Sequence, residues 1–400
     1  MSLDRVRAQR WLVISEVAIS FVLLMGTGLL LGSLWRVLRV DPGFDATNKL
    51  DMLLILPLAE YPEVEDQTGF FDGLMDSIRT LPGVRSVDST TSLPLNPPSG
   101  RTQTVFVEGR PLPAPGEQPL GIAQRFVTPG YFRTMGIRLL RGRVFDDGEA
   151  SRSEGVLVVN EAMAKQVWPG EDPIGQRVAF ERGGVYREVV GVVSNTKGER
   201  LDHPARPAMY APPWQRVHAP ISWAFIVVST EADPAVLVGP LRAEVRAADP
   251  DLSIYRIRTL EDELSAAVAD RRSGLIVLGL FATAALWLAS VGVYSVLRYD
   301  VTQRTREIGV RMALGATTRD VSRLILDNGM RPVAVGLVLG ALLSTALTRW
   351  IESLLFGLGA TDPLTLAAVC VVLTTAALAA CYFPARSAAR TSPAESMRHE

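Results

Sequence analysis

The stretch that decides the fold is GLIVLGLFATAALWLASVGVYSVL, residues 274–297, a run without any charged side chain. A helix needs about 20 apolar residues to cross the hydrocarbon core of a bilayer, so this stretch predicts a membrane span. Three other stretches qualify or nearly do: Trp11 to Leu34, Leu364 to Phe383, and Pro332 to Leu347, which extends into mixed residues from about Leu324 to Trp350. Only the first of these carries a charge, Glu16. The sequence therefore predicts four transmembrane helices.

The composition agrees with partial burial in lipid and excludes several classes of protein. The chain has 400 residues, is 48% hydrophobic and has a formal net charge of −1, which provides no basic field for nucleic acid. Its mean hydropathy is +0.20. The two cysteines, Cys370 and Cys381, are too few for a disulfide framework or a cysteine zinc site. The histidines His203, His218 and His399 lie far apart and lack metal-ligand spacing, so we expect neither a metal nor a cofactor.

Motifs for nucleotide or hydrolytic chemistry are missing from the sequence. There is no GxxxxGK[ST] phosphate loop, no GxSxG elbow, no HExxH pair and no CxxC pair. The acidic residues between the first two spans are dispersed, as on a solvated surface. We therefore expect no enzymatic activity, and any ATPase would be a separate chain.

The arginines near the spans predict the orientation, because positively charged residues concentrate in short cytoplasmic loops. The loop Ile351 to Pro363, between the third and fourth spans, contains no lysine or arginine. Arginines precede the first span, crowd the second-to-third loop and follow the fourth span: Arg5, Arg7, Arg10, Arg298, Arg304, Arg306, Arg311, Arg319, Arg323, Arg386, Arg390 and Arg398. This pattern places both termini in the cytoplasm of a cell whose inner (plasma) membrane the chain crosses.

The predicted domains follow from this topology. Residues 1–35 form the cytoplasmic N-terminus and the first span, residues 36–272 an extracytoplasmic domain, and residues 273–400 the last three spans. The last domain includes a cytoplasmic loop, 298–323, and a cytoplasmic tail, 384–400. The first span could instead be a signal peptide, but its apolar part exceeds the ~7–15 residues of a signal core, which favours an uncleaved anchor.

The extracytoplasmic segment alternates between strand and helix patterns. Its two ends read as β-α-β units, Leu50 to Leu93 and Phe225 to Ile257, whereas the middle is rich in proline, glycine and short strands. Tyr131 to Leu140 is one of the predicted middle strands, and a helix is predicted from about Leu260 to Asp270. The pattern favours a split α/β module with an inserted β-rich subdomain.

Small residues in the spans indicate close helix contacts. Gly28 and Gly32 in the first span, and Gly336 and Gly340 in the third, have the GxxxG spacing that lets backbones approach in lipid. The alternative is that glycine is simply common in membrane helices. Glu16 would be costly facing lipid, so it reaches the membrane surface, contacts another helix or has a proton or substrate role.

The loop between the second and third spans carries the most specific pattern. TREIGVRMALGA, residues 305–316, predicts a short helix that ends at Gly315, and Thr317 can cap the next helix with Asp320 at its third position. From the residues alone, the short helix is either a basic anchor on lipid or a docking element.

A resemblance now becomes visible. REIGVRMALGAT at 306–317 resembles the cytoplasmic coupling loop of the MacB/FtsX family of ABC transporter permeases, and the family's C-terminal signature is similar to CYFPARSAARTSPAESMR at 381–398. TDPLT at 361–365 fits its outer loop. The family's periplasmic core resembles three further stretches: FVTPGYFRTMGIRLLRGRVF (126–145), VLVVNEAMAKQVWPGEDPIGQRV (156–178) and VVGVVSNTKGERLDHPARPAMYAP (189–212). The likeness is to the second half of duplicated permeases.

The resemblance implies a membrane protein with four transmembrane α-helices, one followed by three, and a large α+β MacB-like periplasmic core inserted after the first. It also implies that the loop docks on an ATPase subunit. Within it we assign polar contacts to Arg306, Glu307 and Arg311, apolar contacts to Ile308, Met312 and Leu314, and close approach to Gly309, Ala313 and Gly315.

The implied partners are a MacB/LolD-like ABC ATPase, a second permease chain in a homodimer or heterodimer, an extracytoplasmic adaptor and the lipid bilayer. The implied mechanism is mechanotransmission, in which ATP-driven movement of the ATPase displaces the extracytoplasmic domain, for export of a hydrophobic or peptide-like compound. Two alternatives remain: an FtsX-like regulator of an extracytoplasmic enzyme without transport, and a non-functional unit left by truncation of a double-length permease.

Overall fold

The protein was analysed as a computed structural model that divides the chain into two compact units. A membrane unit comprises Met1–Arg39 and Val268–Glu400, and an outer unit comprises Val40–Ala267. The structure describes residues 3–95, 101–110, 121–146, 155–180, 184–198, 200–215, 222–303, 317–351 and 362–390.

Long helices dominate the membrane unit: α1 (Leu3–Val37), α6 (Leu260–Gln303), α7 (Thr318–Ile351) and α8 (Pro363–Arg390). Within the described residues, four helical stretches are long and apolar enough to cross a bilayer: Ala8–Val37, Arg272–Gln303, Arg323–Leu347 and Pro363–Tyr382. The prediction of four spans is confirmed. The helix predicted before the second span is continuous with it, because no proline interrupts α6 after its acidic first turn.

Apolar side chains hold these helices together in two clusters. One contains Val13 and Val17 of α1, Val293 of α6 and Val333 of α7, all at most 3% exposed. The other joins Phe21 of α1, fully buried, to residues of α8. Many other apolar side chains on the helices are exposed, as expected for lipid-facing positions.

The outer unit contains two sheets among its described residues. Its strands are β1 (Lys49–Ile55), β2 (Val84–Thr90), β3 (Arg101–Thr104), β4 (Phe106–Val107), β5 (Gly121–Phe126), β6 (Leu139–Gly142), β7 (Gly155–Asn160), β8 (Arg177–Ala179), β9 (Arg187–Val193), β10 (Ala208–Ala211), β11 (Trp223–Thr230) and β12 (Ile254–Thr259). Its helices are α2 (Val64–Arg79), α3 (Tyr131–Thr134), α4 (Glu161–Val167) and α5 (Val238–Ala248).

The four-stranded sheet is built from both ends of the outer segment, in the order β12-β1-β11-β2. Its paired neighbours are antiparallel. Successive side chains of a strand point to opposite faces, so Leu50, Met52 and Leu54 of β1 enter the core that α2 and α5 complete. The intervening Asp51 lies on the other face, opposite Val227 and Arg258. The predicted split α/β module is confirmed.

The inserted part forms the second sheet, with eight strands among the described residues. Seven follow the order β3-β5-β10-β7-β9-β8-β4, and β6 pairs with β9. The pairs β5–β10 and β7–β9 are parallel and the others antiparallel. Helix α4 follows β7 directly, capped by the Asn160 side chain, which accepts a hydrogen bond from the backbone N–H of Met163 at 2.9 Å.

The predicted strand from Tyr131 to Leu140 is wrong except for its last two residues, which begin β6. A turn at Pro129 and Gly130 starts the short helix α3, and Gly136 reverses the chain with φ of +69°, so only β6 is extended. Tyr131 and Phe132 are adjacent and both are buried, as one turn of a helix allows. In a strand with one solvent-exposed face, only one of them would be buried.

Candidate functional site

The segment predicted to couple the permease to an ATPase lies outside the described residues. It comprises Arg306, Glu307, Ile308, Gly309, Arg311, Met312, Ala313, Leu314 and Gly315. Both neighbouring helices are described: α6 ends at Gln303 and α7 begins at Thr318. The helix that contains the second span therefore ends just before this segment, and the helix that contains the third span begins just after it.

The start of α7 has the predicted reciprocal cap. The Thr317 hydroxyl donates to Asp320 Oδ2 at 2.7 Å, and the Thr317 backbone N–H donates to the same oxygen at 3.0 Å. The Asp320 N–H points back to the Thr317 hydroxyl at 3.4 Å. The hydrogen bond from Thr317 holds the pKa of Asp320 below its usual value. This cap satisfies amides that would otherwise be unpaired at a helix start, and the prediction is confirmed.

Two of the four predicted packing glycines meet the first helix. A Cβ added to Gly336 would lie 2.8 Å from Val17 Cβ, and one added to Gly340 would lie 2.5 Å from Phe21 Cβ. Gly28 faces α8 instead, where an added Cβ would lie 2.6 Å from Thr365 Cγ2. Gly32 is half-buried. The contribution of these four glycines to helix association stays a prediction.

Glu16 also lies at a helix contact. Its carboxylate fills the space that a side chain at Gly292 of α6 would occupy. Glu16 Oε2 is buried and makes no hydrogen bond with the described residues. Gly292 therefore accommodates a polar group between two spans, which favours a helix contact among the roles considered for Glu16.

A buried ion cluster links three elements of the outer unit. Arg256 of β12 lies 3.0 Å from Asp51 Oδ2 and 3.0 Å from Glu263 Oε1 in the first turn of α6. Asp51 is fully buried, and the side chains of Arg256 and Glu263 are 17% and 9% exposed. Burial raises the pKa of Asp51 to about 6, although the charge of Arg256 opposes this shift. The cluster fastens the start of the helix that contains the second span to β1 and β12.

The chain that follows α1 is fixed to the inserted sheet by backbone contacts. Gly43 has φ of +80°, and a Cβ there would overlap the backbone oxygen of Asn195. Lys197 donates its N–H to the Pro42 oxygen at 2.9 Å, and Asp45 donates its N–H to the Met135 oxygen at 2.8 Å. Glycine is required at position 43 because only glycine adopts this positive φ without strain and lets the backbone approach the Asn195 oxygen so closely.

A cleft of about 800 Å³ opens in the outer unit between α2, β2 and the segment that leads into α3. Asp88 lies in its wall, 4% exposed, and accepts hydrogen bonds from the hydroxyls of Thr128 at 2.8 Å and Thr134 at 2.6 Å. Burial raises the pKa of Asp88 against these two hydrogen bonds. In the described parts of the chain, no three His, Cys, Asp or Glu side chains converge as metal ligands would.

Comparison with known families assigns both parts of the chain. Residues 18–248, more than half of the chain, match the family model of the MacB-like periplasmic core domain. Residues 279–393 match that of the FtsX-like permease C-terminal domain. The chain belongs to the MacB/FtsX family of ABC transporter permeases. It is therefore embedded in a membrane with an extracytoplasmic domain, as the resemblance predicted.

Curated relatives of this permease include larger proteins. It is 28% identical over 283 residues to the pyoverdine export ATP-binding/permease protein PvdT of Pseudomonas putida, covering 65% of the chain and 40% of the relative. It is 28% identical over 287 residues to the macrolide export ATP-binding/permease protein MacB of Bordetella avium, covering 68% and 42%. The permease thus spans about 40% of the length of these curated relatives.

Among solved structures, the periplasmic region of MacB from Actinobacillus actinomycetemcomitans is similar at 16% identity and a TM-score of 0.38. The similarity covers 57% of the permease and 95% of that chain. The family assignment rests on the two family models.

Sequence reasoning missed the ion cluster and the cleft, because it assigned the dispersed acidic residues to the surface. One signal was present: Asp51 interrupts the apolar run from Leu50 to Leu58, and a charge within a buried strand needs a partner. No sequence pattern pairs Asp51 with Arg256, because the two residues are 205 positions apart in the chain.

Proposed function

We propose that this chain is the permease subunit of an ABC transporter and that a separate MacB/LolD-like ATPase drives movement of its extracytoplasmic domain. The observation that carries the proposal is the position of residues 304–316 between α6 and α7, two helices that contain membrane spans. An ATPase that changes shape on binding ATP would displace both helices from this one segment. Such a displacement requires contacts whose free energies differ between the two ATPase states.

The displacement produced by the ATPase would be transmitted to the outer unit through α6. This helix is continuous from Leu260 to Gln303, and its first turn contains Glu263, which pairs with Arg256. Movement of the second span would therefore pull on the edge strand β12 and, through Asp51, on β1. Mechanotransmission of this kind needs no passage of cargo between the four spans.

The proposal keeps the predicted topology and assembly. Both termini lie in the cytoplasm, residues 36–272 form the extracytoplasmic domain, and residues 273–400 form the permease domain. Four spans are too few to enclose a pathway, so a homodimer, or a heterodimer with another permease, would bind two ATPase subunits. An extracytoplasmic adaptor would complete the assembly on the outer side.

The proposed cargo is a hydrophobic or peptide-like compound moved outward. PvdT and MacB are named for the export of pyoverdine and of macrolides, which supports export as the direction. PvdT and MacB are also named as ATP-binding/permease proteins, which supports dependence on an ATPase.

The first experiment identifies the partner. The tagged full chain is extracted from its native membrane and purified, and the bound proteins are identified by mass spectrometry and assayed for ATPase activity. We expect an ABC ATPase with vanadate-sensitive activity. A monodisperse permease that recovers no ATPase would contradict the proposal.

The second experiment tests the coupling segment with the double variant Arg306→Glu/Arg311→Glu. Reversing two charges at the docking surface should remove co-purification of the ATPase, because each contact changes from attraction to repulsion. Arg5→Glu/Arg7→Glu is the matched control, with the same change of charge on the same predicted side of the membrane. Equal retention of the ATPase by both variants would exclude residues 306–315 as the docking element.

A second candidate function follows from the match to the FtsX-like domain over residues 279–393. In it, the outer unit regulates an extracytoplasmic enzyme and nothing is transported. Both functions predict an ATPase partner, so the outer side distinguishes them. Recovery of a cell-wall hydrolase with the full chain, together with unchanged tolerance to macrolides and peptides on deletion, would favour regulation.

A further inference from the structure

The cleft in the outer unit is formed by two parts of the fold that come from different sheets. One wall is α2 with β2 of the four-stranded sheet, and the other is the segment from Thr128 to Arg133, which leaves β5 of the eight-stranded sheet. Asp88 joins the two walls through its hydrogen bonds to Thr128 and Thr134. The walls are therefore fixed relative to each other at the base of the cleft.

The size and composition of the cleft suit a small organic molecule. Its volume of about 800 Å³ lies within the range of roughly 300–1,000 Å³ that is typical of ligand sites. Two half-buried apolar residues, Val84 and Pro213, line it together with charged groups. A ligand would thus meet both an apolar surface and guanidinium groups.

The charged groups of the cleft are unequally matched. Three aspartates and three arginines line it: Asp72, Asp76, Asp88, Arg79, Arg85 and Arg133. All three acids are engaged, because Asp76 pairs with Arg79 at 2.5 Å, Asp88 accepts two hydroxyl groups and Asp72 has an interaction of its own.

Arg85 and Arg133 differ from the acids. Both side chains are exposed, and neither forms a hydrogen bond or an ion pair within the part of the chain that the structure describes, although the charge of Arg133 acts on the buried Asp88 carboxylate. They line the same cleft from different walls, Arg85 on β2 and Arg133 on α3. Two exposed guanidinium groups beside half-buried apolar side chains form an environment that favours an anion with an apolar body.

We propose that this cleft binds an amphipathic organic anion, with Arg85 and Arg133 holding its carboxylate, sulfonate or phosphate group and Val84 and Pro213 contacting its apolar part. Guanidinium groups suit this role because they present paired donors to an oxyanion. Binding at this site needs neither ATP nor the coupling segment, so it can be measured independently of the ATPase partner.

The test uses the full chain in phosphatidylcholine nanodiscs and two fluorescent probes, dansylglycine and its uncharged analogue dansylglycinamide. Empty nanodiscs give the lipid background. We expect saturable binding of dansylglycine, weaker binding of the amide, and a loss of dansylglycine affinity at high salt, since salt screens exposed charges. No saturable binding of dansylglycine, or equal affinity for the two probes, would overturn the proposal.

Variants then assign the anion contacts. Arg85→Gln/Arg133→Gln should weaken dansylglycine binding by about tenfold or more, because charge-assisted hydrogen bonds are lost, and leave the amide unaffected. Arg85→Lys/Arg133→Lys keeps both charges and should retain most of the affinity. Arg242→Gln removes an exposed arginine of α5 that does not line the cleft, and should change nothing. An unchanged affinity in the glutamine double variant would refute the assignment.

A final arm distinguishes a soluble anion from an anionic lipid, which share this chemistry. Nanodiscs that contain phosphatidylglycerol should lower the affinity of the wild-type chain for dansylglycine if the lipid occupies the cleft, and this decrease should be absent from the glutamine double variant. An unchanged affinity in the presence of phosphatidylglycerol identifies a soluble anion as the ligand.

Discussion

The membrane unit and the outer unit fix their long helices in different ways. In the membrane unit, helices meet where a side chain is missing: Gly336 and Gly340 against α1, and Gly292 against Glu16. In the outer unit, the start of α6 is fixed by ion pairs, in which Arg256 contacts both Asp51 and Glu263.

The solvent explains the difference. Lipid tails are as apolar as the side chains they cover, so helices in a bilayer gain little from hydrophobic burial and depend on close packing. The outer unit folds from water and obtains its stability from apolar cores such as that between β1 and α2. A fold with such a core can include a buried ion cluster, which contributes little net stability although the removal of one partner is costly.

Removing the central charge of the cluster should have the largest effect. Arg256→Met keeps most of the side-chain volume but removes the guanidinium that the buried Asp51 carboxylate contacts, which should cost about 3–5 kcal/mol. Amide hydrogen exchange of β1 and β12 in the full chain measures this as a lower free energy of opening.

Arg258→Met is the matched control on the same strand. Arg258 is 52% exposed and lies 3.6 Å from Glu263, so its loss should cost less than about 1 kcal/mol. Equal losses in the two variants would show that burial does not distinguish the two ion pairs.

The pH dependence of the outer unit should follow the same cluster. The pKa of Asp51 is about 6 in the folded chain and about 3.9 in an unfolded one. Because the folded state binds this proton more tightly, stability should rise as the pH falls from about 6 to about 4 and decline as it rises again, by at most about 3 kcal/mol. Asp88, whose pKa is also raised, acts in the same direction.

The variant Asp51→Asn distinguishes the contribution of Asp51 to the pH dependence of stability from that of Asp88. Its exchange-derived stability between pH 4 and pH 7 should be flatter than that of the wild type, with a remaining slope from Asp88. Identical pH profiles in the two proteins would mean that Asp51 does not titrate in this range.

The sequence predicted the periodic parts of this molecule and missed the parts that depend on distant pairs. Apolar runs define spans because a bilayer demands length and hydrophobicity within one stretch, and Thr317 with Asp320 defines a cap within one turn. Asp51 and Arg256, in contrast, meet only because β1 pairs with β12. The cleft likewise requires two sheets to be in place before Arg85 and Arg133 share it.

Backbone contact at the loop after α1 should be next in magnitude. Gly43→Ala forces a left-handed conformation and places a methyl group on the Asn195 oxygen, so it should cost at least about 2 kcal/mol. Gly83 has φ of +87° with nothing within 4 Å, so Gly83→Ala should cost only about 1 kcal/mol for the conformation. Hydrogen exchange near each site measures both, and equal costs would mean that the loop adapts to the methyl group.

The smallest expected effect concerns the glycines of the membrane unit. Gly340→Ala would place a Cβ 2.5 Å from Phe21 Cβ and 3.1 Å from the Ala18 oxygen, forcing α7 away from α1 at a cost of about 1–2 kcal/mol. Gly279→Ala is the matched control in the second span, because its nearest neighbour, Thr27 Cγ2, would lie 3.9 Å away, an ordinary contact. The midpoint of unfolding in sodium dodecyl sulfate should fall for the first variant only. If both variants match the wild type, Gly340 would reflect only the high frequency of glycine in membrane helices, and a missing side chain would no longer explain the close contact between α7 and α1.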